Sequence, residues 1–133
     1  MQRFDQESRL TNVKAYLGLA KLLLKQSDYI VFSTISMFKE VYEFNHKSFP
    51  NYFEVYLDIP KAVRTGRDFK GIYNDGKTIF QNDVCGEDIR IAYPDKAHLI
   101  YKHRDGNKAQ DVAAVILDAI SDHFDRTEIE ISA

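Results

Sequence analysis

The sequence has little of what marks a secreted, membrane-bound or nucleic-acid-binding protein. One cysteine, Cys85, occurs in 133 residues. A single thiol cannot form an internal disulfide and cannot build a cysteine-based zinc site. Its scarcity fits a reducing compartment. The longest apolar-rich runs, such as Tyr29–Ile35, fall far short of the ~20 residues that a membrane-spanning helix needs. The opening residues, MQRFDQESR, lack the apolar centre of a secretory signal. These absences predict a cytoplasmic protein with no membrane partner. Basic residues are not in excess: 18 Lys and Arg stand against 20 Asp and Glu, a formal net charge of -2. That leaves no electrostatic footprint for nucleic acid. Repeats and low-complexity tracts are missing too.

The chain is long enough for one domain and one core. Its 44% hydrophobic and 29% charged residues are ordinary for a globular domain. Leu10, Val13, Leu17, Ala20 and Leu24 recur at helical spacing, which predicts a helix from about Asp5 to Gln26 with Asp5 as its N-cap. Tyr29–Ser33 is a continuous apolar run and reads as a strand buried on both faces. Phe38, Val41, Tyr42 and Asn45 begin a second helix, which Pro50 must end. Phe53–Asp58 is rich in strand formers and stops at Ile59-Pro60. A short helix follows up to Gly66.

Residues 67–93 are polar and weakly periodic, the pattern of a long functional loop or lid. Leu99–Tyr101 reads as a third strand, and Val112, Val115, Ile116, Ala119, Ile120 and Phe124 define a last helix. Helices alternating with buried strands predict an α/β layer fold on a parallel sheet. One domain is expected over residues 1–126, followed by a polar tail over 127–133.

GIYNDGKT, Gly71 to Thr78, matches the phosphate-loop pattern G-x-x-x-x-G-K-[ST] letter for letter. Such a loop needs a strand leading in and a helix leading out, so that turn amides and the helix N-terminus surround the phosphates. Here the strand before it ends at Asp58, and IFQNDVCGED after it has no apolar helical stripe. The match therefore reads as an accident. Started slightly earlier, the stretch Arg67-Asp-Phe-Lys-Gly-Ile-Tyr73 resembles the R-D-x-K-G-L-Y signature in the lid of adenylylsulfate kinases.

Three further segments fall in the same order. Phe4, Arg9 and Asn12 are similar to G-F-S-x-x-D-R-x-x-N. Tyr29 to Ser36, with Met37-Phe38, resembles the strand ending in I-S-P-[YF]. Phe53 to Pro60 resembles F-[IV]-E-V-[FY]-V-D-x-P. Gly86 and Asp88 match the family pattern continued without a gap from Lys70. The resemblance covers nearly the whole chain, and four motifs in order are specific where any one is weak.

The resemblance implies a P-loop-kinase-like parallel three-layer α/β sandwich. It also implies transfer of the γ-phosphate of ATP, with magnesium, to the 3′-hydroxyl of adenosine 5′-phosphosulfate. Such transfer rests on positioning and charge neutralisation. Arg9 and Asn12 match positions that hold the nucleotide substrate, against a plain reading as helix-surface residues. Ile35 and Ser36 match a segment lining the substrate pocket. Lys70, Gly71, Ile72 and Tyr73 match lid residues over the substrate's charged group, and Arg67 matches a lid Arg beside the ATP base. Val84 and Gly86 continue the substrate side of the lid. A homodimer stays open as a further partner.

Three departures stand out. Asn74 and Asp75 replace basic residues. Val84 replaces a Phe that stacks on the adenine of the sulfate substrate, an aromatic platform of the kind worth ~1–3 kcal/mol for a base. The family's own phosphate loop and central first strand would precede Met1, so an N-terminally truncated domain with no catalytic group of its own is expected. Two alternatives accompany the first reading: a sister kinase acting on cytidine diphosphoramidate in surface-polysaccharide synthesis, and a non-catalytic nucleotide- or partner-binding remnant. His46, His98, His103 and His123 show no ligand spacing and read as solvated or helix-end residues, so no metal site is expected. Cys85 reads as an incidental thiol.

Overall fold

The computed structural model describes residues 5–68 and 89–131, with the side chains of the last helix described up to Asp125. The chain divides into two compact units, residues 1–50 with 68–94, and residues 51–67 with 95–133.

In the first unit, α1 spans Gln6–Leu23. Asp5 starts it: its carboxylate accepts the Ser8 amide at 2.9 Å, satisfying a donor that the first turn leaves open. Val13, Leu17 and Ala20 are its buried stripe. Helix α2 spans Lys39–Ser48 and buries Val41 and Asn45. The Phe49 amide makes its last turn's bond to the Asn45 carbonyl at 3.0 Å. Pro50 has no amide with which to continue. Val13, Leu17, Phe38 and Val41 form the core of this unit, with Leu10, Phe44, Phe49, Ile89 and Ile91 packed around it.

Tyr29–Ser33 corrects the sequence reading. The segment belongs to no strand, and Tyr29 and Val31 are 84% and 94% exposed. The only sheet among the described residues is formed elsewhere. Apolar content marked the segment as a strand, but a strand exists only where a neighbour supplies its hydrogen bonds.

In the second unit, β1 (Val55–Asp58) and β2 (Leu99–Lys102) pair in parallel, Val55 opposite Leu99 and Asp58 opposite Lys102. Bonds from the Leu99 amide to the Glu54 carbonyl, 3.1 Å, and from the His103 amide to the Asp58 carbonyl, 3.0 Å, extend the ladder at both ends. Ile59-Pro60 stops β1, and α3 (Lys61–Gly66) begins at once. Gly106, at φ 85°, makes the turn between β2 and α4 in a left-handed conformation that costs glycine little.

Helix α4 spans Ala109–Ile131. Val112, Ile116, Ala119, Ile120 and Phe124 are half-buried, as their spacing requires, while Val115 is 43% exposed. The backbone of α4 takes in residues 127–131, which the sequence reading assigns to a polar tail. The described residues are thus mixed α/β with a two-stranded parallel sheet, not the three strands expected.

Candidate nucleotide-acceptor site

Arg9, Asn12 and Tyr16 follow one another at i, i+3 and i+7, so they share one side of α1. The buried stripe of Val13, Leu17 and Ala20 fixes how the helix is turned. Arg9 is consequently half-buried and Asn12 exposed. One turn past Asn12, the Tyr16 ring meets Phe32 with centroids 6.2 Å apart and a 49° tilt. Phe32 lies on the extended segment that leads to Ile35 and Ser36.

Ile35 is 64% exposed and Ser36 half-buried. The Ser36 and Thr34 hydroxyls are 2.7 Å apart. The Ser36 carbonyl accepts the Phe38 amide at 2.9 Å, and the neighbouring Met37 carbonyl accepts the Ala92 amide at 2.8 Å. Ala92 belongs to the downstream end of the expected lid. One unit thus carries the helix side bearing Arg9 and Asn12, the segment ending in Ile35 and Ser36, and the end of the lid.

The rest of the expected site is not placed in the same way. Arg67 is exposed and ends α3 in the other unit. Its amide donates to the carbonyls of Val63 and Arg64, at 3.1 and 3.2 Å. Lys70, Gly71, Ile72, Tyr73, Val84 and Gly86 lie outside the described residues, as do Gly71–Thr78 as a whole.

The context upstream of that glycine-rich stretch is described. The last strand before it is β1, ending at Asp58, and α3 stands between the two. This agrees with reading the match as an accident. The other strand-to-helix passages offer no substitute. Between β1 and α3 lies only Ile59-Pro60, without glycine. At the start of α4, the Asp111 carboxylate accepts the amide of the capping Lys108 at 2.7 Å, and the passage carries no glycine-rich phosphate-loop pattern.

Among the described residues, no group of three or more His, Cys, Asp or Glu is arranged to hold a metal ion.

The sequence reading missed one cluster. His98 and His123, taken singly as solvated or helix-end residues, meet in the second unit with ring centroids 4.8 Å apart. Phe53 touches both, stacked on His98 at 5.2 Å and edge-on to His123 at 5.3 Å. A signal existed for His123 alone, which continues the half-buried stripe of Ile116, Ala119 and Ile120. Among the remaining histidines, His103 pairs with Asp105 at 3.3 Å.

Sequence comparison places this chain in a family of nucleotide kinases. Residues 2–102 match the family described as Adenylylsulphate kinase, and the chain belongs to that family. It is 29% identical over 114 residues to a cytidine diphosphoramidate kinase of Campylobacter jejuni, an alignment covering 86% of this chain and 66% of that protein. It is 39% identical over 70 residues to an adenylyl-sulfate kinase of Deinococcus deserti, covering 53% of this chain and 39% of that protein. A probable adenylyl-sulfate kinase of Pyrococcus abyssi is 34% identical over 70 residues, covering 53% and 40% respectively. The chain therefore spans less than two thirds of the length of each of these relatives. No solved structure matches it significantly. No helix among the described residues is long and apolar enough to cross a membrane.

Proposed function

We propose that this chain provides the acceptor-nucleotide side of a cytoplasmic kinase that moves the γ-phosphate of ATP to a nucleotide hydroxyl. The first reading of the acceptor is adenosine 5′-phosphosulfate, phosphorylated at its 3′-hydroxyl. The observation that supports it is that Arg9, Asn12, Ile35 and Ser36 belong to one unit, in which Tyr16 of α1 meets Phe32 of the segment leading to Ile35.

An Arg fork can grip a sulfate or phosphate oxygen pair, and an Asn can read a polar base edge. The lid, from Arg67 through Lys70–Tyr73 to Val84 and Gly86, would close over the charged group. Its downstream end is tied to Met37, next to Ser36. The domain is read as a P-loop-kinase-like sandwich whose phosphate cradle is not formed by the described residues. ATP and magnesium are therefore assigned no residue contact beyond the lid Arg67.

A second acceptor, cytidine diphosphoramidate, is favoured by two observations. The relative of that name aligns over 86% of this chain, and Val84 stands where the family's adenine-stacking Phe would be. Equilibrium binding of each nucleotide to the full chain separates the readings. Preference for the adenine nucleotide, lost about tenfold or more in Arg9→Ala, supports the first. Preference for the cytidine nucleotide with the same loss supports the second. Binding of neither, or binding indifferent to Arg9, overturns the acceptor site.

A further inference from the structure

Tyr16 and Phe32 meet across two stretches of the first unit, yet neither ring is used up by that contact. Tyr16 is 54% exposed and Phe32 42%. Their centroids lie 6.2 Å apart at a 49° tilt, an aromatic contact that is not a face-to-face stack. Each ring keeps open surface beside the other, and the pair forms a tilted, partly open seat.

The groups that flank the seat are polar. On α1, Arg9 and Asn12 precede Tyr16 on one side of the helix, and the two turns from Arg9 to Tyr16 cover about 10 Å along its axis. On the segment after Phe32, the Thr34 and Ser36 hydroxyls are 2.7 Å apart. Side chains two apart that touch share a side of the chain, and in extended chain the same side returns at Phe32. Exposure alternates accordingly: Val31 and Ile35 are 94% and 64% exposed, against 42% for Phe32 and a half-buried Ser36. One hydroxyl of the pair donates to the other, which leaves the accepting one its own hydrogen for an outside partner.

We propose that Tyr16 and Phe32 form the seat for the base of the acceptor nucleotide, one ring under a face of the base and the other against its edge. Resting on the acceptor reading above, this seat adds the two residues that hold the base. A nucleotide has one flat apolar end, a sugar with hydroxyls, and a charged 5′ end. The aromatic pair suits the first, and the Thr34–Ser36 hydroxyls suit the second. Arg9, two turns back from Tyr16, is spaced to take the third, where its guanidinium can grip a pair of oxygens. A π-face is common to adenine and cytosine, so the seat serves either acceptor.

Nuclear magnetic resonance of the full chain with adenosine 5′-phosphosulfate, and separately with cytidine diphosphoramidate, tests this. Protons of a base that lies over an aromatic ring move upfield, so the base protons of the bound nucleotide should move upfield from their free positions. Tyr16→Leu and Phe32→Leu should each weaken binding about tenfold, the loss expected of one stacking partner, and should reduce that shift. Tyr16→Phe restores a ring and should recover most of what Tyr16→Leu loses. A contact that only fastened the segment to α1 would lower the unfolding midpoint and leave the base protons unmoved.

Binding by the wild-type chain without an upfield shift overturns the seat, whether or not a variant folds. So does wild-type affinity in both leucine variants. If Arg9→Ala still loses binding in either case, the acceptor reading stands and the seat alone falls. Binding of neither nucleotide removes the acceptor reading and the seat with it.

Discussion

The Tyr42 hydroxyl donates a 2.9 Å hydrogen bond to the carbonyl of Ala92, fifty residues further along the chain. Ala92 also donates its own amide to the Met37 carbonyl at 2.8 Å. The two bonds clamp residues 89–94 between the start of α2 and the segment that ends in Ser36. Ile89 and Ile91, packed on the core of Val13, Leu17, Phe38 and Val41, add apolar contacts to the same clamp. This clamped stretch lies beside the proposed acceptor segment.

Removing the hydroxyl isolates one part of the clamp. Tyr42→Phe keeps the ring and strands only the Ala92 carbonyl, which is part-buried. A loss of about 0.5–1.5 kcal/mol in denaturant stability is expected, the usual net worth of a hydrogen bond. No change in the urea midpoint would show that the bond contributes nothing.

Leu17 lies at the centre of the core of the first unit, 4% exposed. Leu17→Ala removes packing that α2 cannot fully collapse to replace. It should cost about 2–5 kcal/mol, a large share of the ~5–15 kcal/mol that holds a typical domain together. Exposed Leu22 on the same helix is the control: Leu22→Ala should leave the unfolding midpoint nearly unchanged.

Local chemistry was legible in the sequence, and pairing was not. Asp5 caps α1, Pro50 follows the end of α2, and Ile59-Pro60 stops β1 because each acts on its immediate neighbours. Tyr29–Ser33 has the composition of a buried strand, yet only a neighbouring strand could make it one. The same limit hid the His98–His123 contact, since no spacing rule connects a residue before β2 with one far along α4. Within the proposed acceptor site, order along the chain pointed to Arg9, Asn12, Ile35 and Ser36. It could not show that Tyr16 and Phe32 join the two segments, because that contact depends on how α1 is turned by its buried stripe.

The glycine-rich stretch Gly71–Thr78 should not hold a triphosphate, although it lies outside the described residues. Its upstream neighbour is α3 rather than a strand. Lys77→Ala should change any measured ATP affinity by less than about twofold, or roughly 0.4 kcal/mol. Phosphoryl transfer depends on a positioned phosphate cradle, and the described residues form none, so the 133-residue chain alone should also turn over no ATP. A large affinity loss in the variant, or turnover abolished by it, would make this stretch a working phosphate loop.

Val31 is 94% exposed in the middle of a run, Tyr29 to Met37, that contains no charge. Exposed apolar chain with strand propensity and no charge to repel a copy is a template for pairing between molecules. Tyr29 and Ile35, 84% and 64% exposed, extend the same surface. The chain should therefore associate as its concentration rises, with a sedimentation coefficient that increases across the micromolar range. Val31→Lys places a charge at the centre of the run and should shift the onset of association to about tenfold higher concentration. It should leave the unfolding midpoint nearly unchanged, because so exposed a side chain contributes little to the core. A wild-type chain that sediments as one species at every concentration would mean that this surface does not drive association, and a Val31→Lys chain that associates as readily would place the contact elsewhere.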